Sequence, residues 1–136
     1  MPSSQIVLKA KKPLPTAYPK ILKTLGDHLR KSRLDLKLLQ KDVAQKLGAC
    51  EQSICNWEKN LSKPAIKYIP KIVEFLGYVP FDTYPKSIGE KIVLYRKLYG
   101  LSQKLLARQL GIDPSTLREW EMNRKQPPER IFKIIS

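Results

Sequence analysis

The side chains in this 136-residue chain that could do chemistry are few in kind: two cysteines, one histidine, twelve carboxylates, and twenty-six lysines and arginines. Cys50 and Cys55 stand five apart with His28 as the single imidazole, which fits neither a zinc pattern nor a disulfide framework and suits a reducing compartment. No nucleophile elbow, phosphate loop, metal cluster or Cys–His pair occurs, and the acids are scattered, so neither an enzyme nor a cofactor is expected. What remains is ionic chemistry. A net charge of +14 points to a polyanionic partner, because basic surface attracts phosphate and released counterions favour the complex; the competing reading is a merely solvated basic surface. The apolar run at residues 6–8 is far too short for a signal sequence or a membrane span, so no membrane partner is expected.

The elements that must position these charges follow from a repeat. Residues 24–64 align without a gap on residues 87–127, 63 positions on, with twelve identities that include Gly26/Gly89, Arg33/Arg96, Gln40/Gln103, Ala44/Ala107, Trp57/Trp120, Glu58/Glu121 and Asn60/Asn123. From Thr24 the apolar residues recur at a 3.6-residue period, which predicts an all-α chain. Residues 1–23 carry five lysines, no acid and four prolines and read as an extended basic arm, or as a tail that only raises solubility. The stretch 78–86, YVPFDTYPK, has two prolines and three aromatics, so it reads as a stiff connection whose Tyr78, Phe81 and Tyr84 pack against something. The expected units are an arm at 1–23, a helical domain at 24–77, a linker at 78–86, and a second domain at 87–136 with a truncated last helix. In that last helix Ile131, Phe132, Ile134 and Ile135 are expected to need another surface.

The segment 101–121, LSQKLLARQLGIDPSTLREWE, reads as two short helices across a tight turn. Ser102 caps the first, Gly111 supplies a left-handed turn residue, and Asp113 caps the second ahead of Pro114. Ala107 is small where helices cross, and Leu110, Leu117 and Trp120 make a buried wedge; Ala44, Leu47, Ile54 and Trp57 are the same wedge in the first copy. This pattern resembles the helix-turn-helix of the Cro and phage-repressor family, the Xre-type regulators. The resemblance implies two tandem lambda-repressor-like domains and double-stranded DNA as partner, in a bacterial or phage-type transcriptional regulator that is cytoplasmic and associated with the nucleoid. A protein partner or self-association stays open. So does an adapter, in which one copy binds DNA and the other a protein.

Carried over residue by residue, the resemblance turns Glu51, Gln52, Cys55 and Asn56 toward the major groove in the first copy, and Pro114, Ser115, Arg118 and Glu119 in the second. None of the four pairs match. Gln52 and Asn56 suit adenine edges, Glu51 cytosine, and Arg118 guanine or a phosphate. Gln40, Lys41, Ser53, Gln103, Lys104, Thr116, Arg124 and Lys125 are the expected phosphate contacts. Arg33 with Glu58, and Arg96 with Glu121, resemble the family's internal salt bridge. The first copy departs from the pattern, with Lys37, Leu39 and Cys50 where the second has Gly100, Ser102 and Asp113, so its local helix signals are weaker. His28 is expected to face solvent.

Overall fold

The computed structural model describes Pro19 and residues 21–135, so most of the expected basic arm lies outside the described residues. Among these residues are eight α-helices and no strand: α1 (Leu25–Asp35), α2 (Gln40–Leu47), α3 (Glu51–Glu58), α4 (Ile69–Leu76), α5 (Ile88–Tyr99), α6 (Gln103–Leu110), α7 (Pro114–Glu121) and α8 (Glu129–Ile135). A 3-10 turn, Ile66–Tyr68, leads into α4.

Local chemistry explains the boundaries. Thr24 opens α1 with a reciprocal cap, its hydroxyl accepting from Asp27 N–H at 3.0 Å while the Asp27 carboxylate accepts from Thr24 N–H at 3.3 Å. Ser87, Ser102 and Asp113 cap α5, α6 and α7 through their side chains. Leu39 and Cys50, which open α2 and α3, make no side-chain cap. Asp42 partly compensates by accepting from Leu39 N–H at 2.9 Å. The turns between α2 and α3 and between α6 and α7 rest on Gly48 and Gly111, at φ +69° and +70°, with open space where a Cβ would go. Their requirement is therefore conformational. Lys37, at φ 57°, bears the strain that Gly100 avoids in the second copy.

Two buried clusters form. The first holds Leu29, Val43, Ala44, Leu47, Ile54, Trp57 and Ile72. The second holds Ile92, Leu106, Ala107, Leu110, Leu117, Trp120, Ile131 and Ile135. Every member of the first has its counterpart 63 positions on in the second, so one packing scheme is used twice. Tyr68, tilted against Trp57 with ring centroids 5.2 Å apart, holds the place that Ile131 takes in the second cluster.

The closing helix corrects one expectation. Ile131 and Ile135 are 0% and 5% exposed inside the second cluster and need no outside surface, because α8 turns them onto α5. Nor is α8 much shorter than its counterpart, with 7 residues against 8 in α4. Phe132 and Ile134 remain on the exposed side.

The 3-10 turn and α4 pack against α5, and α4 packs against α1 and α2 as well, which ties the two clusters together. Pro70 presses on Gly100 closely enough that a Cβ there would lie 2.9 Å from Pro70 Cγ. Gly100 thus serves both its own left-handed turn and the approach of α4. Of the three aromatics in 78–86, Phe81 is half-buried with Lys97 Nζ 5.2 Å above its ring, and Tyr78 meets His28. Tyr84 is 83% exposed, contrary to expectation, in an irregular stretch without helix or turn.

Candidate nucleic-acid interface

Each turn unit is locked from behind by an ionic clasp. Arg33 donates through Nε and Nη2 to the two carboxylate oxygens of Glu58, at 2.7 and 2.9 Å, and through Nη1 to the Leu38 carbonyl at 3.0 Å. Gln40 adds a hydrogen bond to the same carboxylate at 3.2 Å. The second copy repeats it: Arg96 Nε and Nη2 reach Glu121 at 2.6 and 3.1 Å, Nη1 reaches the Leu101 carbonyl at 3.2 Å, and Gln103 reaches Glu121 at 2.8 Å. The planar guanidinium fork matches the carboxylate, fixing the first helix of each copy against the end of the third. Gln40 and Gln103, expected on phosphate, therefore each spend one amide N–H inside the clasp. They keep a second N–H and the carbonyl for an outside partner.

With Ile54, Trp57, Leu117 and Trp120 buried, the opposite faces of α3 and α7 look outward. On α3, Glu51 and Gln52 are exposed and Cys55 and Asn56 half-buried. Gln52 donates to Asn56 Oδ1 at 3.0 Å, so the two amides form one unit that still offers the Gln52 carbonyl and N–H groups of both side chains. On α7, Pro114, Ser115 and Arg118 are exposed, and Glu119 lies 3.7 Å from Arg124 across a largely solvated pair. The Ser115 hydroxyl donates to the capping carboxylate of Asp113 at 2.6 Å, and that bond, with the one from Ser115 N–H, holds the Asp113 carboxyl below its ordinary range. Lys41, Lys104, Arg124 and Lys125 are exposed; Ser53 and Thr116, near the helix starts, are half-buried. The Ser53 hydroxyl sits 3.1 Å from Cys50 Sγ and, with its backbone N–H, pulls the Cys50 thiol down from its ordinary value.

Residues 92–136 match the helix-turn-helix family. The match runs from within α5 through α8 and so takes in the capped turn between α6 and α7. A helix-turn-helix is a DNA-binding unit, and DNA is the partner it implies for this chain. No curated protein and no solved structure matches the chain. Among the described residues no helix is long and apolar enough to cross a membrane, and no group of three or more His, Cys, Asp or Glu could hold a metal ion.

Two further pairs of residues support the two turn units. Asn60 and Asn123 follow the third helix of each copy at φ 60° and 59°, a conformation in which asparagine is tolerated. Asn60 accepts from the Thr24 hydroxyl at 2.7 Å and donates to Asp27 at 3.0 Å; Asn123 accepts from Gly89 N–H at 3.0 Å and donates to Ser87 at 3.2 Å. Each asparagine thereby joins the end of its outward helix to the start of the first helix. Gly26 and Gly89 lie at the same crossing, where a Cβ would collide with the Trp57 and Glu121 carbonyls respectively. Identity of all four across the repeat was the available signal; an Asn directly after a helix is also a recognised stop.

His28 departs from its expected place in solvent. Its Nδ1 lies 2.7 Å from the Tyr78 hydroxyl and the rings meet edge to face, which pins the start of the connecting segment to α1. Burial pushes the His28 pKa below its ordinary 6.5, and the Asp27 charge only partly opposes this. The folded value lies below the unfolded one, so the unfolded chain takes up the proton first as pH falls. The stability tied to neutral His28 is therefore present above the ordinary value of 6.5 and lost as pH drops through the lower folded value. Thermal melts between about pH 7.5 and 5 are expected to show a decline that His28→Gln reduces. Superimposable pH profiles for the two proteins would remove this role.

Proposed function

We propose that the chain is a sequence-specific double-stranded DNA-binding protein, a transcriptional regulator of the Xre type. In this reading residues 24–77 and 87–136 are two helix-turn-helix units, joined by 78–86 and preceded by a basic arm. The observation that carries it is the recurrence, 63 residues on, of seven buried positions together with the Arg–Glu–Gln clasp and the glycine turn. A backbone held so similarly presents α3 as it presents α7. The outward residues differ at every place, so the site on DNA is asymmetric: the Gln52 and Asn56 pair suits adenines, and Arg118 suits a guanine. Gln40, Lys41, Ser53, Gln103, Lys104, Thr116, Arg124 and Lys125 hold the phosphates and set the register.

Selection of bound oligonucleotides from a random pool, followed by titration of variants on the winner, tests this. Joint Gln52→Ala and Asn56→Ala, and separately Arg118→Ala, are each expected to cost about 1–3 kcal/mol per base contact, roughly 5- to 150-fold in Kd, confined to one part of the site. Lys104→Ala is expected to weaken all sequences alike and to lower the salt slope by about one. A symmetric palindrome bound by two chains would overturn the single-chain clamp. Loss from the α7 variant alone would favour the adapter, in which the first half binds a protein. One feature favours that second reading: α3 carries no Lys or Arg, whereas α7 presents Arg118.

A further inference from the structure

A cavity of about 590 Å³ lies where the two halves and the connecting segment meet. It is walled by the start of α1, the loop after α3, the start of α4, Pro80 and Phe81 of the connection, and Lys97 of α5. That volume falls within the range of small-molecule sites. The floor is apolar: Ile69 is 6% exposed yet belongs to neither core cluster, and Pro80 and Phe81 face it across the junction. The rim is cationic. Among the described residues Lys23, Lys63 and Lys97 line the cavity and no acid does.

None of the ion pairs within 4.0 Å among the described residues involves Lys23, Lys63 or Lys97. Asp27, the nearest acid on α1 in sequence, has its oxygens occupied by Asn60 and by the backbone N–H groups of Lys23 and Thr24. Lys97 is positioned by the Phe81 face 5.2 Å below its Nζ, so a charge and an aromatic wall arrive together. Asp82, Glu90 and Glu121 line a smaller neighbouring cavity, which shares Phe81 and Lys97 with this one. A rim of lysines without an ion pair among the described residues, over an apolar floor, matches an amphipathic anion.

We propose that this cavity binds a small organic anion, an aromatic or short aliphatic body bearing one carboxylate, sulfonate or phosphate, with Lys23, Lys63 and Lys97 on the acid group and Ile69, Pro80 and Phe81 on the body. Because its walls come from both halves, an occupant braces α5 against the start of α1 and the loop after α3. The relation between the two outward helices then depends on the ligand. That last consequence rests on the two-reader proposal; the binding itself does not.

The test uses the full chain without DNA, so that loss of ligand binding and loss of specific DNA binding are separate results. The probe is 1-anilinonaphthalene-8-sulfonate, followed by fluorescence and, for stoichiometry, by calorimetry. One saturable site per chain is expected. Lys63→Met and Lys97→Met, which keep the apolar stems, are expected to weaken it about fivefold each. Lys86→Met and Lys133→Met, whose lysines do not line the cavity, are expected to leave it unchanged, and thermal melts show whether each variant is folded. The neutral analogue N-phenyl-1-naphthylamine is expected to bind at least about tenfold more weakly. Equal affinity for the neutral analogue, scattered multiple sites, or indifference to Lys63 and Lys97 in folded variants would each overturn the proposal.

Discussion

Glu58→Ala is expected to destabilise the first half of the chain by about 3–5 kcal/mol, the cost of removing one member of a buried ion pair. Glu58 is 3% exposed and receives three hydrogen bonds, two from Arg33 and one from Gln40. Its loss leaves a guanidinium on a side chain only 13% exposed without its carboxylate, with Leu38 C=O as its remaining acceptor. A unit of about 60 residues has little stability to spare, so the loss approaches the whole. Urea unfolding followed by Trp57 fluorescence, with a Trp120→Phe background to isolate the signal, would read it. The double variant Arg33→Met, Glu58→Leu is expected to recover much of the loss, since apolar replacement of a buried pair is often neutral. A Glu58→Ala effect below about 1 kcal/mol, the range of a solvated pair, would show that the clasp is worth little.

Gly26→Ala is expected to cost about 3 kcal/mol, at the upper end for overpacking. In the interior of a helix the change ordinarily stabilises by about 1 kcal/mol. Here the added methyl meets the carbonyl carbon of Trp57 at 2.7 Å and its oxygen closer still, and both are backbone atoms that cannot rotate aside. The first helix must then back away from the end of the third, stretching the Asn60 bonds to Thr24 and Asp27. Gly48→Ala is the control. Its Cβ meets nothing, so only the left-handed backbone is penalised, by about 1–2 kcal/mol. Paired denaturation curves separate the two causes. If Gly26→Ala were as stable as the parent, the close crossing of α1 and the end of α3 would not exist in solution.

Both changes act on contacts between segments 18 or more positions apart, beyond the reach of local sequence signals. Local periodicity and turn chemistry were enough to read the helices, since a 3.6-residue apolar repeat, a Ser or Asp before a helix and a Gly at a left-handed turn act within a few residues. The capped α6–α7 turn was legible for that reason. Asn60 and Asn123 were not, because their worth comes from Thr24, Asp27, Ser87 and Gly89, more than 30 positions away. His28 reads as a surface group in the sequence because Tyr78, which meets it, lies 50 positions on.

By itself the sequence determined an all-helical chain, the doubled packing scheme and a basic surface, because hydrophobic period, repeat and charge are properties of residue types in order. Tertiary structure alone decided how the two copies join. Pro70 lands on Gly100, Ile131 and Ile135 fold back onto α5, Tyr84 stays outside, and three lysines converge over Ile69 and Phe81. Each depends on where separate helices come to rest once their apolar faces have been buried. That balance is struck over the whole fold, and no short stretch of residues encodes it.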